Sequence, residues 1–269
     1  MRAGELLLEE TESLQTGEAL KTISGDIRFQ DVSFRYDDKP VLSHATCTIP
    51  YGKTTAIVGP SGSGKTTILN LLERFYIPNE GYISYCGKDI RSFRLKDWRS
   101  KFCCVSQNTP LLSGTLLKNI SYGMKQKIGQ EQVESAAKQA HSYEFINCLP
   151  QKFQTETGEN GGLFSAGERQ RIALTRVFIR NPEFLMLDEA ICHLDAMNAA
   201  EVYQEVQKQT KSRSCVMVTH DMNTASKADH IIVMEHGTVC SEGTHPYLYE
   251  TCDTYKKLYH LQNTEHSLS

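Results

Sequence analysis

The sequence predicts an α/β protein with a mixed, partly parallel core sheet, an antiparallel β patch and an inserted helical subdomain. Three observations predict it. Continuous apolar runs at "TTAIVG", "EFLMLDEA" and "SCVMVTH" read as strands buried on both faces. Alternating runs near the start, "DIRFQDVSFRY" and "ATCTIP", read as antiparallel strands with one solvated face. Between the first and second of the buried runs, Pro110 to Arg180 is helix-like text.

Composition bounds the rest. The 269 residues are 39% hydrophobic and 23% charged, enough for one sizeable domain with a subdomain and inconsistent with a disordered chain. A net charge of -3 without a polybasic block argues against nucleic acid as a partner. The nine cysteines contain no C-x-x-C pair and suit a reducing compartment. No apolar run approaches the roughly 18 residues of a membrane-crossing helix.

Residues 1–24 are acidic, lack strand alternation and read as a linker or connector, so the folded domain is expected over 25–259, with a tail at 260–269. Asp26 to Tyr36 and Ala45 to Pro50 form the antiparallel patch across the polar turn "DDKP". The helical subdomain is expected over about 108–180. Its clearest helix is "ERQRIALTRVFI", whose Ile172, Leu174, Val177 and Phe178 are spaced for one buried face. The helix "NAAEVYQEVQKQ" between two apolar strands completes a βαβ unit, and "HIIVMEHGTV" reads as a last strand.

The stretch "VGPSGSGKTTILNLL" carries the first chemistry. Gly59, Gly62, Gly64, Lys65 and Thr66 fit the G-x-x-x-x-G-K-[ST] template between a strand and a helix. Side-chain-poor residues let backbone N–H groups curl around phosphate oxygens, and the following helix points its positive end at them. Pro60, Ser61, Ser63 and Thr67 complete the expected nucleotide contact set. "FLMLDE" then ends a buried strand in Asp188 and Glu189, at the carboxyl edge where open parallel sheets bind ligands. Asp188 with the Thr66 hydroxyl would hold Mg²⁺, and Glu189 would polarise an attacking water.

The order of these motifs resembles the nucleotide-binding domain of ATP-binding cassette (ABC) transporters, a P-loop NTPase core, over Gly25 to about Tyr259. The resemblance implies that Tyr36 stacks on adenine and that Gln107, in "CCVSQNTPLLSGTLLKNISYG", reaches Mg²⁺ and the water. That phrase and "TETGENGG" look like the exporter branch. "LFSAGERQRIAL" matches the family signature with three departures: Phe164, Ala166 and Glu168. Ser165 and Gly167 keep the hydroxyl and the backbone N–H that would face a γ-phosphate at a helix N-terminus, and the "ERQR" continuation weighs against a merely local capping box. Glu168 near triphosphate is repulsive unless it points away or meets a cation. In "CHLD", Leu194 and Asp195 match the family's D-loop while Cys192 and His193 do not, and adjacent ligands without a second pair make a poor zinc site. His220 matches the switch histidine.

The resemblance implies a Mg-dependent ATPase with ATP and Mg²⁺ as cofactors. Glu189, His220 and Gln107 would be catalytic, and Ser165, Ala166, Gly167 and Glu168 would complete the nucleotide site of a second cassette. The partners implied are that second nucleotide-binding domain, identical or different, and a transmembrane domain, which puts the chain at the cytoplasmic face of a membrane. A non-transport ABC ATPase or a regulatory ATP-binding module is the alternative. No heptad run supports the chromosome-associated kind, and a single cassette does not match the two-cassette ribosome-acting kind.

Overall fold

A computed structural model describes residues 12–106, 110–124, 126, 128–190, 196–210 and 213–266. Strands β1 (Ile27–Tyr36) and β2 (Lys39–Ile49) form a hairpin. β3 (Thr54–Val58) leads into helix α1 (Lys65–Leu72). β4 (Glu80–Tyr85), β5 (Lys88–Asp89), α2 (Leu95–Arg99) and β6 (Phe102–Val105) follow. The helical subdomain contains α3 (Leu116–Ile120), α4 (Gln130–Gln139), α5 (Tyr143–Cys148) and α6 (Ala166–Arg180). The chain returns to the sheet with β7 (Phe184–Asp188), α7 (Ala196–Thr210), β8 (Ser214–Val218) and α8 (Met222–Ala225). It closes with β9 (His230–Glu235), β10 (Thr238–Gly243), α9 (His245–Thr251) and α10 (Asp253–His266).

Two sheets face one another. The smaller is antiparallel, in the order β2-β1-β4-β5; the larger runs β10-β9-β3-β8-β7-β6. In the larger sheet β9, β3, β8, β7 and β6 are parallel, and β10 folds back antiparallel on β9. Every residue of β3 and β8 is buried, as their unbroken apolar text requires. One core, including Phe29, Leu72, Trp98 and Phe184, fills the space between the sheets and α1. A second, with Leu174, Val206, Met217 and Tyr255, covers the opposite face of the parallel sheet. A third, around Leu116, Ile146, Phe164 and Ile172, belongs to the helical subdomain.

Several elements differ from the sequence reading, each for a physical reason. β2 starts at Lys39, not Ala45, because Tyr36 pairs with Lys39 across a two-residue turn, and Pro40 is tolerated on an edge strand. "HIIVMEHGTV" is two strands: His236 and Gly237 take positive φ (49° and 79°) and make a tight hairpin turn between β9 and β10. "GYISY" and "FCCV" add strands β4 and β6, and the chain ends in two helices, α10 running through residues read as a tail.

The segment read as a connector is laid along the domain from Leu14 to Ser24. Glu18 pairs with Phe93 in a parallel bridge, and its N–H donates to Ser92 O (2.7 Å). Ile23 N–H donates to Glu183 Oε2 (2.5 Å) and Ser24 N–H to the Tyr85 hydroxyl (3.0 Å). Leu20 and Ile23 enter the inter-sheet core, and their burial adds to these hydrogen bonds in docking the strap. No helix among the described residues is long and apolar enough to cross a membrane.

Candidate functional site

The phosphate loop leaves β3 at Gly59. There φ is 153°, and a Cβ would stand 2.1 Å from Met234 O, so only glycine passes under β9. Gly64, with φ 98°, is the residue before α1, and a Cβ on it would meet the Leu42 side chain at 2.6 Å. The loop's closeness to its neighbours, as well as its access to a ligand, therefore dictates the glycines. Lys65 folds back over the loop, its Nζ donating to Gly59 O (3.0 Å) and Pro60 O (2.9 Å). Burial lowers the pKa of this amine, while the nearby Glu189 and Asp188 carboxylates act in the opposite direction. Ser63 Oγ is buried without a partner, an orphaned hydroxyl inside the loop.

Tyr36 ends β1 beside this loop. Its hydroxyl accepts from Asn70 Nδ2 (3.2 Å) on α1 and lies 3.5 Å from Thr67 Oγ1. The ring meets Phe34 and Tyr76 edge-to-face, with centroids 4.8 and 5.0 Å away. Asn70 was not singled out from sequence, although its place one turn after Thr66 on α1 was the available signal.

Across the loop, the end of β7 supplies the acidic pair. Thr66 Oγ1 donates to Asp188 Oδ1 at 3.2 Å. Burial raises the Asp188 carboxyl, opposed by the Thr66 hydrogen bond and reinforced by the Glu189 charge. Glu189 takes a left-handed φ of 51° while its N–H still donates to Val218 O (3.0 Å). A non-glycine residue held there costs on the order of 1 kcal/mol, and such strain concentrates at functional sites. Glu189 Oε1 lies 2.7 Å from His220 Nε2, just beyond β8. A lysine, a threonine, two carboxylates and an imidazole thus converge on one end of the parallel sheet.

The signature residues lie in the helical subdomain. Ser165 is the residue before α6, Ala166 and Gly167 open that helix, and Phe164 is buried in the subdomain core. Ser165 and Glu168 form a full capping box: Glu168 N–H donates to Ser165 Oγ (3.2 Å), and Glu168 Oε2 accepts from Ser165 N (2.9 Å) and Oγ (2.8 Å). The expectation that "ERQR" argues against a local capping box is therefore corrected. A serine three residues before a glutamate at a helix start makes one whatever else the motif does.

The exporter-like segments are tied together. Thr157 Oγ1 donates to Leu112 O (2.8 Å), Thr157 N to Gly114 O (2.8 Å) and Leu116 N to Thr155 O (3.0 Å). Asn119 closes the Leu112 turn with a reciprocal side-chain pair, at 2.8 Å each way. "LLSGTL" and "TETGEN" are one hydrogen-bonded unit. Gln107 and the "CHLD" segment lie outside the described residues.

Oxygen donors at Thr66 and Asp188 suit a hard cation such as Mg²⁺, which takes few protein ligands when phosphates supply the others. Among the described residues, no group of three or more His, Cys, Asp or Glu gathers into a metal site. The glycine loop, the orphaned Ser63 hydroxyl and the folded-back Lys65 suit a polyphosphate.

A family profile described as ABC transporter matches residues 42–192. The chain is 40% identical to an ATP-dependent lipid A-core flippase of Mannheimia succiniciproducens over 89% of this chain and 41% of that protein. It is 38% identical to the lipid A-core flippase of Escherichia coli K12 over 96% of this chain and 44% of that protein. Among solved structures, a bacterial Atm1-family ABC exporter with ATP bound superposes with a TM-score of 0.91 at 32% identity, covering 97% of this chain and 46% of that one. The chain spans less than half the length of these relatives.

Proposed function

The chain belongs to the ABC transporter family and as such binds ATP, and from that premise we propose that it hydrolyses ATP as the motor domain of an exporter, driving transport across a membrane. The observation that carries the reading is the Glu189–His220 pair, 2.7 Å apart beside the Thr66–Asp188 contact and the phosphate loop. The motor spans about 25–259, with the helical subdomain at about 108–180. It works at the cytoplasmic face of a membrane, with a transmembrane domain as partner.

The roles follow from the chemistry of each group. Tyr36 offers a ring face to adenine. Lys65 trades the carbonyls of Gly59 and Pro60 for phosphate oxygens, and the loop from Gly59 through Pro60, Ser61, Gly62, Ser63 and Gly64 to Thr67 offers its N–H groups. Thr66 and Asp188, with Gln107, would hold Mg²⁺, which when bound would supply positive charge against that building on the transferred phosphoryl group. Glu189 polarises the attacking water; His220 fixes the orientation of Glu189 and supplies a donor for the γ-phosphate. Ser165, Ala166, Gly167 and Glu168 face the ATP held by a second cassette, so two chains pair head to tail around two nucleotides. The hydrogen-bonded unit of Leu112–Leu116 and Thr155–Thr157 then passes the motion on to the membrane helices.

Light scattering of Glu189→Gln with MgATP tests the proposal. Binding survives while water activation is lost, so a stable ATP-bound dimer accumulates, and a Ser165→Arg companion blocks it sterically. Wild-type turnover by Glu189→Gln would remove Glu189 as the catalytic residue.

A further inference from the structure

We propose that Gln262 is a positioning residue for the Glu189–His220 pair, bracing from the C-terminal helix the backbone that carries His220. The inference rests on reading that pair as the hydrolytic centre.

His220 sits in a short connection between β8 and α8, its side chain 51% exposed, so its place depends on the backbone around it. Most of that backbone is held locally. Asp221 N–H donates to Thr219 Oγ1 (3.0 Å) and Asn223 N–H to Asp221 Oδ1 (2.9 Å), while Thr224 Oγ1 donates to Asp221 Oδ2 (2.5 Å). Met222 N–H, an orphan donor of the first helical turn, is satisfied from 40 positions away: Gln262 Oε1 accepts it at 2.5 Å.

The acceptor comes from an anchored element. Tyr255 on α10 is fully buried in the core that also contains Met222 and Ala225, and its hydroxyl lies 2.8 Å from His245 Nδ1. The His245 ring packs on Tyr259 with centroids 5.1 Å apart. Gln262 follows on the same helix and links a rigid, core-packed scaffold to the residue two positions after His220. Without it, the turn that sets the imidazole loses a side-chain anchor from a distant element. A loss of sub-ångström placement at a 2.7 Å contact lowers turnover rather than ATP affinity.

Two substitutions at one position separate bracing from packing. Gln262→Met keeps the length and removes the acceptor; Gln262→Glu restores an acceptor. Amide hydrogen exchange over Met222–Ala225 without nucleotide is expected to quicken about three- to tenfold in Gln262→Met and to return to wild type in Gln262→Glu, the range for one net hydrogen bond. In steady-state MgATP hydrolysis, Gln262→Met is expected to lower kcat by a similar factor, with KM within about twofold and rescue by Gln262→Glu. Unchanged exchange or unchanged kcat in Gln262→Met overturns the brace, as does a fall in kcat with an equal change in KM or without rescue. If the wild-type protein itself fails to hydrolyse ATP, the proposed function falls, while the exchange measurement still decides whether Gln262 holds the turn.

Discussion

Glu168 accepts from both the backbone N–H and the hydroxyl of Ser165, so the serine we propose to face a second cassette's nucleotide is committed to its own helix cap. A triphosphate must compete with a carboxylate for that hydroxyl. Glu168→Gln keeps an acceptor for the cap but removes the charge, and ATP-dependent pairing should tighten, with a gain that shrinks as salt rises. Titrating dimer formation against ATP at two ionic strengths checks it. Glu168→Ala, which breaks the box, should instead lower thermal stability by about 0.5–2 kcal/mol.

Lys65 bridges two loop carbonyls and is almost wholly buried. Lys65→Met retains much of the packed stem and removes the cation. ATP turnover should fall below detection, and the melting temperature should change by only a few degrees. Turnover within about twofold of wild type would remove the lysine from phosphate binding.

Tyr36 combines a ring with a hydroxyl held by Asn70. Tyr36→Phe should leave ATP affinity nearly unchanged, because stacking needs only the ring. Tyr36→Ala should weaken binding by about 1–3 kcal/mol, the range for one base–aromatic stack. Calorimetric titration of both variants distinguishes a stacking ring from a strand-end residue.

Glu73, at the end of α1, is pushed by burial from an ordinary 4.5 up to about 7, with Arg99 pulling the other way. The folded form therefore keeps a proton that the unfolded chain releases. Its contribution to stability is fully present below about pH 4.5 and is lost as pH rises through 7. Glu73→Gln should remove this slope. Relative to the variant, wild type should lose about 1–2 kcal/mol between pH 5 and 8, after discounting for partial exposure. Paired denaturant titrations at the two pH values measure the difference.

The phosphate loop and the strand ending in Asp188 and Glu189 were legible because their signals are local: a fixed spacing of glycines, and an apolar run that stops at two acids. The capping box is equally local, a serine three residues before a glutamate, and it coexists with the signature motif in the same residues. Other features depend on partners distant in sequence. The left-handed Glu189 is set by its tie to Val218, and no text around Leu20 and Ile23 announces that a strap docks on Trp98 and Phe93. The hairpin at His236–Gly237 hid within a continuous apolar run because a two-residue turn leaves almost no polar gap.

The order of strands in the larger sheet also sets a timetable. β3, which launches the phosphate loop, pairs Thr54–Ile57 with Cys215–Val218 on one side and Thr55–Val58 with His230–Val233 on the other. The smaller sheet, by contrast, finds all its partners between Ile27 and Asp89. On the ribosome, that sheet can close early, while β3 waits through the synthesis of some 150 further residues for either neighbour. A nascent chain halted near residue 200 therefore holds every residue of the phosphate loop and neither of the strands that pair with β3.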